Sequence, residues 1–423
     1  MKLTTKIIFS FVLSLAPSIY YFNFLYSDFI FVNSIIFVAI LCLLLIISFK
    51  FFLNDWFLYF LIFLIFFGLI FSYLINVSNY EIASNIELAR FFSYFLFFIV
   101  IISFISDYSL LKDSLTYAAF LYSFFILISL IIIILFGSDF HNILIQKASV
   151  LEDSILTAYT ITSDDVLYSR FSLPGINSNT VTIMSSLFAG FFLNKILKKE
   201  TYKYLNFLCF YILIISIFLT LSRQGFVYIF ILFSFYGISN IRKIFNIFLP
   251  FFLGLFVIDY NILYLRFLST LDAIFGTKYS LHLVDNTSER ENLINDSLAN
   301  ISQNFWGSSI EQISIYFSSA TGEHLLYLYL ISLYGYIVGV SVFILTFYAI
   351  YKFYISFRNN IFYTYDTLTF FYFSIICFVS AFFAPSYYIH FAFLGLCFAY
   401  LNCKDAIIND INFSYKMYNN KIS

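Results

Sequence analysis

From the first residues to the last, this chain repeats apolar stretches long enough to cross a bilayer, which a helix does with roughly 17 to 25 residues. Composition points the same way: 62% of the 423 residues are hydrophobic, 24% aromatic and only 11% charged, against about 25% charged in soluble domains. The chain is expected to be an all-α polytopic membrane protein, a single integral domain over 1–423 with no soluble domain at either end. Its chemistry must then come from loops and helix ends.

Twelve spans are expected, at roughly 7–25, 29–49, 56–75, 89–105, 116–136, 176–194, 205–221, 224–238, 244–263, 325–351, 363–383 and 387–401. Lys2 and Lys6 before an apolar run ending near Ala16 imitate a signal peptide, yet the cleavage signal is poor and the stretch reads as a retained first span. Cys42, Cys209, Cys377, Cys397 and Cys403 lie in or beside apolar spans without paired spacing, so neither a disulfide framework nor a zinc site is expected. A net charge of -1 gives no sign of nucleic-acid binding, and there is no internal repeat.

Cytoplasmic loops should be rich in Lys and Arg. With both ends cytoplasmic, that side holds Lys2, Lys6, Lys50, Lys112, Lys195, Lys198, Lys199, Lys203, Arg242, Lys243, Lys352, Arg358, Lys404, Lys416 and Lys421, which is 15 of the 22 basic residues. The other side holds Lys147 and Lys278 with Arg90, Arg170, Arg223, Arg266 and Arg290. Lysine follows the topology rule and arginine runs against it. A need for planar, bidentate anion contacts would produce that split.

Two loops on the arginine side are long, 137–175 and 264–323. Loops of such length are usually functional or disordered, and these are too apolar for plain linkers. The second carries a helical pattern from Glu289 to Ile301, with Leu293, Ile294, Leu298 and Ile301 on one face and Thr287 or Ser288 as cap.

Arg90, Arg223 and His324 fall near the starts of helices that run inward from this side. Arg170 precedes the Pro174-Gly175 turn, after which Asn177, Ser178 or Asn179 can cap the next span. A cation beside the positive end of a helix costs a few tenths to about 1 kcal/mol, so several such placements call for an anion between them. Helix amides and guanidinium groups together bind phosphate well. Arg90 and Arg266 have no further motif around them and read as arginines that snorkel to the headgroups.

These residues resemble the O-antigen polymerase and O-antigen ligase superfamily of bacterial polysaccharide assembly. The resemblance rests on "RFSLPGINSNT" with Arg170 and Asn179, on Ser222, Arg223 and Gly225, on "SERENLINDSLANISQNFWG" with Arg290 and Gly307, and on "GEHLLYLYLISLYGYIVG" with His324. It covers about 170–340. Leu325 stands where the family often has Asn or Ser.

The resemblance implies a GT-C-like glycosyltransferase of the bacterial inner membrane with its site on the periplasmic face and no cofactor or metal. Donor and acceptor would be polyprenyl-pyrophosphate-linked oligosaccharides, and a chain-length regulator is a partner it allows. Arg170, Arg223, Arg290 and His324 would be catalytic, with Asn179, Ser222, Glu289 and Glu323 binding substrate; Glu291 is a further candidate base. Polymerase is the favoured activity. The alternatives are a ligase that transfers polymer to lipid A-core and, from another class, a lipid-linked oligosaccharide flippase.

Overall fold

The structure is a computed structural model that describes residues 55–76, 82–104, 108–148, 160–163, 166–169, 171–173, 178–200, 202–255, 295, 298–299, 301–302, 304–309, 326–358, 365–382 and 389–403. The expected spans at 7–25 and 29–49 lie outside the described residues. In chain order the described elements are α1 (Trp56–Asn76), α2 (Ile82–Phe104), α3 (Tyr108–Ala148), β1 (Thr160–Ser163), β2 (Val166–Ser169), α4 (Ser178–Leu197), α5 (Lys203–Leu219), α6 (Arg223–Leu255), α7 (Leu326–Arg358), α8 (Tyr365–Ser380) and α9 (Ile389–Cys403).

Among the described residues four stretches are long and apolar enough to cross a membrane: Trp56–Asn76, Tyr108–Phe136, Ser178–Leu197 and Leu326–Ser356. The first expected loop departs from a plain connection. Its start continues α3 to Ala148, and further along β1 and β2 pair antiparallel, with Thr160 opposite Ser169. Among the described residues that hairpin is a small β element between helices. Within the second loop Asn295, Leu298, Ala299, Ile301 and Ser302 are helical as expected. Ile301 is buried there and Leu298 half exposed.

Two of the long helices are folded back on themselves. A helix advances 1.5 Å per residue, which would hold Phe233 and Phe248 about 22 Å apart along a straight α6. Their ring centroids are 5.4 Å apart, and Ile247 accepts a hydrogen bond from the Tyr211 hydroxyl of α5 at 2.7 Å. The reversal falls between the two segments expected at 224–238 and 244–263.

The second case adds a break within the span expected at 325–351. Gly335 interrupts α7 with φ 84° and ψ 173°, a conformation that glycine tolerates and side chains do not. A β-carbon on Gly339 would lie 3.0 Å from the Tyr327 carbonyl, although a straight helix would separate the two by about 18 Å. Leu326–Tyr334 is therefore a short half-helix lying back along the start of the longer second half. Hydropathy is blind to this because both halves are equally apolar.

α4 lies at the centre, with nearly every residue buried. Hydroxyls rather than charges join its neighbours: Ser186 meets the Tyr372 hydroxyl at 2.6 Å, Ser216 donates to Ser185 at 2.8 Å, and the Tyr236 hydroxyl reaches Gly190 O at 3.1 Å. Hydrogen bonds between apolar helices are worth about 0.6 kcal/mol on average. Packing supplies the rest.

The bundle has two chemically distinct ends. At one, Lys112 pairs with Glu200 at 2.6 Å, Lys198 pairs with Asp366, and Asn194 donates to Asp366 at 2.8 Å. Asp55 accepts from the Tyr348 hydroxyl at 2.7 Å and pairs with Lys352 at 3.0 Å, tying the start of α1 to the end of α7. Tyr400 stacks on both Phe370 and Phe353, which places Lys352 at the same end as Asp366. These lysines all belong to the set expected on one side of the membrane. Arg223 lies at the other end.

Candidate functional site

The opposite end is built around the tight turn between α5 and α6. Thr220 closes α5 with its amide on Ser216 O, and Leu221 follows with φ 49° and its amide on Phe218 O. A non-glycine residue in that region is uncommon and marks a constrained turn. The Ser222 amide is received by Thr220 Oγ1 at 3.4 Å, while Ser222 O accepts from the Gly225 amide at 2.9 Å.

The turn is bolted to the first turns of α4. The Ser222 hydroxyl donates to Asn179 Oδ1 at 3.0 Å, and Thr182 Oγ1 meets Thr220 Oγ1 at 2.7 Å. The Ser222 hydroxyl is used between helices, and its carbonyl holds the first turn of α6. Gly225 permits a close approach, since a β-carbon there would lie 2.8 Å from Ile217 Cγ2. Arg223 opens α6 at this junction and is half-buried. Gln224 beside it is buried and accepts from the Tyr228 hydroxyl at 2.8 Å.

Phe171, the residue after Arg170 in the sequence, donates its amide to Leu219 O at 2.9 Å, so the approach to α4 runs along the same turn. Ser172 beside it is buried, and its hydroxyl has no hydrogen-bond partner among the described residues. Asn179, Ser222 and Arg223 are thus brought to one junction. Arg170, Glu289, Arg290, Glu291, Glu323 and His324 lie outside the described residues, as do Arg266 and the expected caps Thr287 and Ser288.

Further polar groups on this side escaped the sequence reading. Asn76 ends α1 and donates to Gly307 O at 3.2 Å as well as to Ser72 O at 3.0 Å. Gly307 belongs to the segment Asn304–Ser309, which docks on the break in α7: Ser308 donates its amide to Ser332 O at 2.8 Å, and Phe305 O accepts the Tyr336 amide at 3.1 Å. An asparagine closing an apolar run was the available signal.

Two buried ionisable side chains also lie inside the bundle. Glu87 on α2 is 8% exposed, one turn before Phe91, whose ring contacts Tyr334 of the half-helix at 4.9 Å. His390 on α9 is 1% exposed and shares a 2.9 Å hydrogen bond with Thr346. Among the described residues no cluster of His, Cys, Asp and Glu has the makings of a metal site.

No protein-family model, curated protein or solved structure matches the chain.

Proposed function

We propose that this chain is a membrane glycosyltransferase that polymerises an O-antigen or capsular polysaccharide, moving a growing glycan from polyprenyl pyrophosphate onto a lipid-linked repeat unit. The observation that carries the reading is the junction at which Arg223 starts α6 beside the Ser222 to Asn179 hydrogen bond of 3.0 Å, at the end of the bundle away from Lys112, Lys198 and Lys352. In this reading the chain has twelve spans and two long outer loops. The lysine end faces the cytoplasm and the arginine end the periplasm.

The reaction breaks the bond between the anomeric carbon and the pyrophosphate oxygen and forms one from that carbon to an acceptor hydroxyl oxygen. Negative charge grows on the leaving pyrophosphate. Donors fixed before the reaction stabilise such charge most, and the backbone of Arg223 starts from a turn held by the hydrogen bonds named above. Arg170 and Arg290 complete the anion site in this proposal, Asn179 and Ser222 set its geometry, and one of His324, Glu323, Glu289 and Glu291 takes the acceptor proton. The lipid carrier brings the activated sugar, so neither a nucleotide site nor a cofactor is called for.

The folded-back α7 and the buried Glu87 and His390 favour a second reading as a lipid-linked oligosaccharide transporter, because broken helices and intramembrane ionisable groups mark transport sites. Purified protein in detergent, given a defined lipid-linked repeat unit, separates the two. Polymer forming with no compartment to cross supports the enzyme. Unchanged repeat units, alongside their movement across vesicle membranes by the same preparation, would exclude it.

A further inference from the structure

We infer that Asn76 is a positioning residue: it locks the segment Asn304–Ser309, which lies between Arg290 and His324 in the sequence, onto the break in α7. The inference rests on the polymerase reading for its catalytic consequence and on geometry for the lock itself.

Breaking a helix at membrane depth frees backbone groups that lipid cannot satisfy, so such backbone persists only where protein covers it. Here the cover comes from far away in sequence. The Tyr336 amide, which opens the second half of α7, is taken by Phe305 O, and the Ser332 carbonyl, which closes the first half, is taken by the Ser308 amide. Ser72 Oγ reaches the Leu333 carbonyl at 3.4 Å.

The two backbones approach so closely that each needs glycine. A β-carbon on Gly307 would lie 2.4 Å from Leu333 O, and one on Gly335 would lie 2.7 Å from Phe305 O. Both residues also have positive φ, 86° and 84°. Loop segment and helix break therefore define each other's shape.

Asn76 closes the assembly from the third side. Its amide nitrogen bridges Ser72 O within α1 and Gly307 O in the segment, and the residue is buried. Trp306 stacks on Phe71 of α1 with centroids 5.5 Å apart, which seals the same face. The side chain thus connects a membrane helix to a point between Arg290 and His324 in the sequence. Loosening it should disturb the alignment of groups needed in the transition state while leaving the uptake of substrate nearly intact.

The test combines hydrogen exchange with steady-state kinetics on the full-length Asn76→Leu protein in detergent. Expected are exchange at the Ser308 and Tyr336 amides faster by about tenfold or more together, the rest of α1 still protected, and kcat per folded enzyme lower by about tenfold with KM for the lipid-linked unit within about twofold. Unchanged exchange at those amides overturns the lock. Faster exchange with unchanged kcat overturns the positioning role. Wild-type protein that makes no polymer overturns the polymerase reading and the catalytic consequence with it, while the exchange result still decides the lock. If Asn76→Leu does not fold, Asn76→Ser, which stays polar but is too short to span from Ser72 O to Gly307 O, is read by the same measurements with the same outcomes deciding.

Discussion

Tyr327 and Phe343 belong to one continuous helix assignment, yet their ring centroids lie 5.1 Å apart, edge to face. A straight helix would separate the two residues by about 24 Å, so this contact exists only because α7 reverses at Gly335. Gly335→Ala puts a side chain at φ 84° and drives a β-carbon toward Phe305 O and Trp306. A loss of about 1–3 kcal/mol is expected from the backbone conformation, with the clash adding to it. Thermal unfolding in detergent measures the loss, and wild-type stability in this variant would mean that α7 does not reverse there.

Asp55 ties α1 to α7 and carries a pH signature. Burial alone would raise its pKa; hydrogen bonds from Tyr348, Lys352 and the Leu58 amide, with the Lys352 charge, more than offset that and hold the carboxyl below its ordinary value. A carboxylate lowered in this way adds stability above its unfolded pKa of about 3.9 and loses it as pH falls through the folded value. Lys352 is 36% exposed, so solvent screening keeps the contribution to about 1 kcal/mol or less. The melting temperature of Asp55→Asn should trail that of the wild type by a constant amount down to about pH 4 and converge with it only below. A gap that widens on acidification would contradict the assignment.

How much of this was readable beforehand depended on range along the chain. Trp56–Asn76 and Ser178–Leu197 fall within three residues of their expected bounds at 56–75 and 176–194, because length and hydropathy are local. The break at Gly335 was not readable, since the residues that permit it, Phe305 to Ser308, sit in a different loop. Ser222, Asn179 and Arg223 were each marked by being polar at an apolar boundary. Their meeting was not, because spacing along the sequence does not say which helix ends adjoin. Glu87 and Asn76 were passed over for the opposite reason: a lone polar residue near a span end looks solvated until its neighbours are known.

The Ser222 to Asn179 hydrogen bond should behave as a measurable coupling. Ser222→Ala removes a bond at 3.0 Å made by a buried serine, for an expected cost of about 0.5–1.5 kcal/mol. A double-mutant cycle with Asn179→Ala should return about 1 kcal/mol of interaction between the two positions. Additive losses would show that the turn is held by Thr182 and Thr220 alone.

Arg223 gives the sharpest functional prediction, because its backbone is fixed independently of its charge. The turn is held by Ser222, Thr220 and Gly225 through their own hydrogen bonds, so Arg223→Gln should insert and fold like the wild type. If its guanidinium stabilises a leaving pyrophosphate, kcat for polymer formation should drop about a hundredfold or more, the usual cost of losing one preorganised donor. Arg223→Lys keeps the charge and loses the planar fork, so its activity should fall between the two. Equal activity in Arg223→Gln and wild type, at equal amounts of folded protein, would remove Arg223 from the reaction. Full activity in Arg223→Lys alone would leave it a role as a simple positive charge.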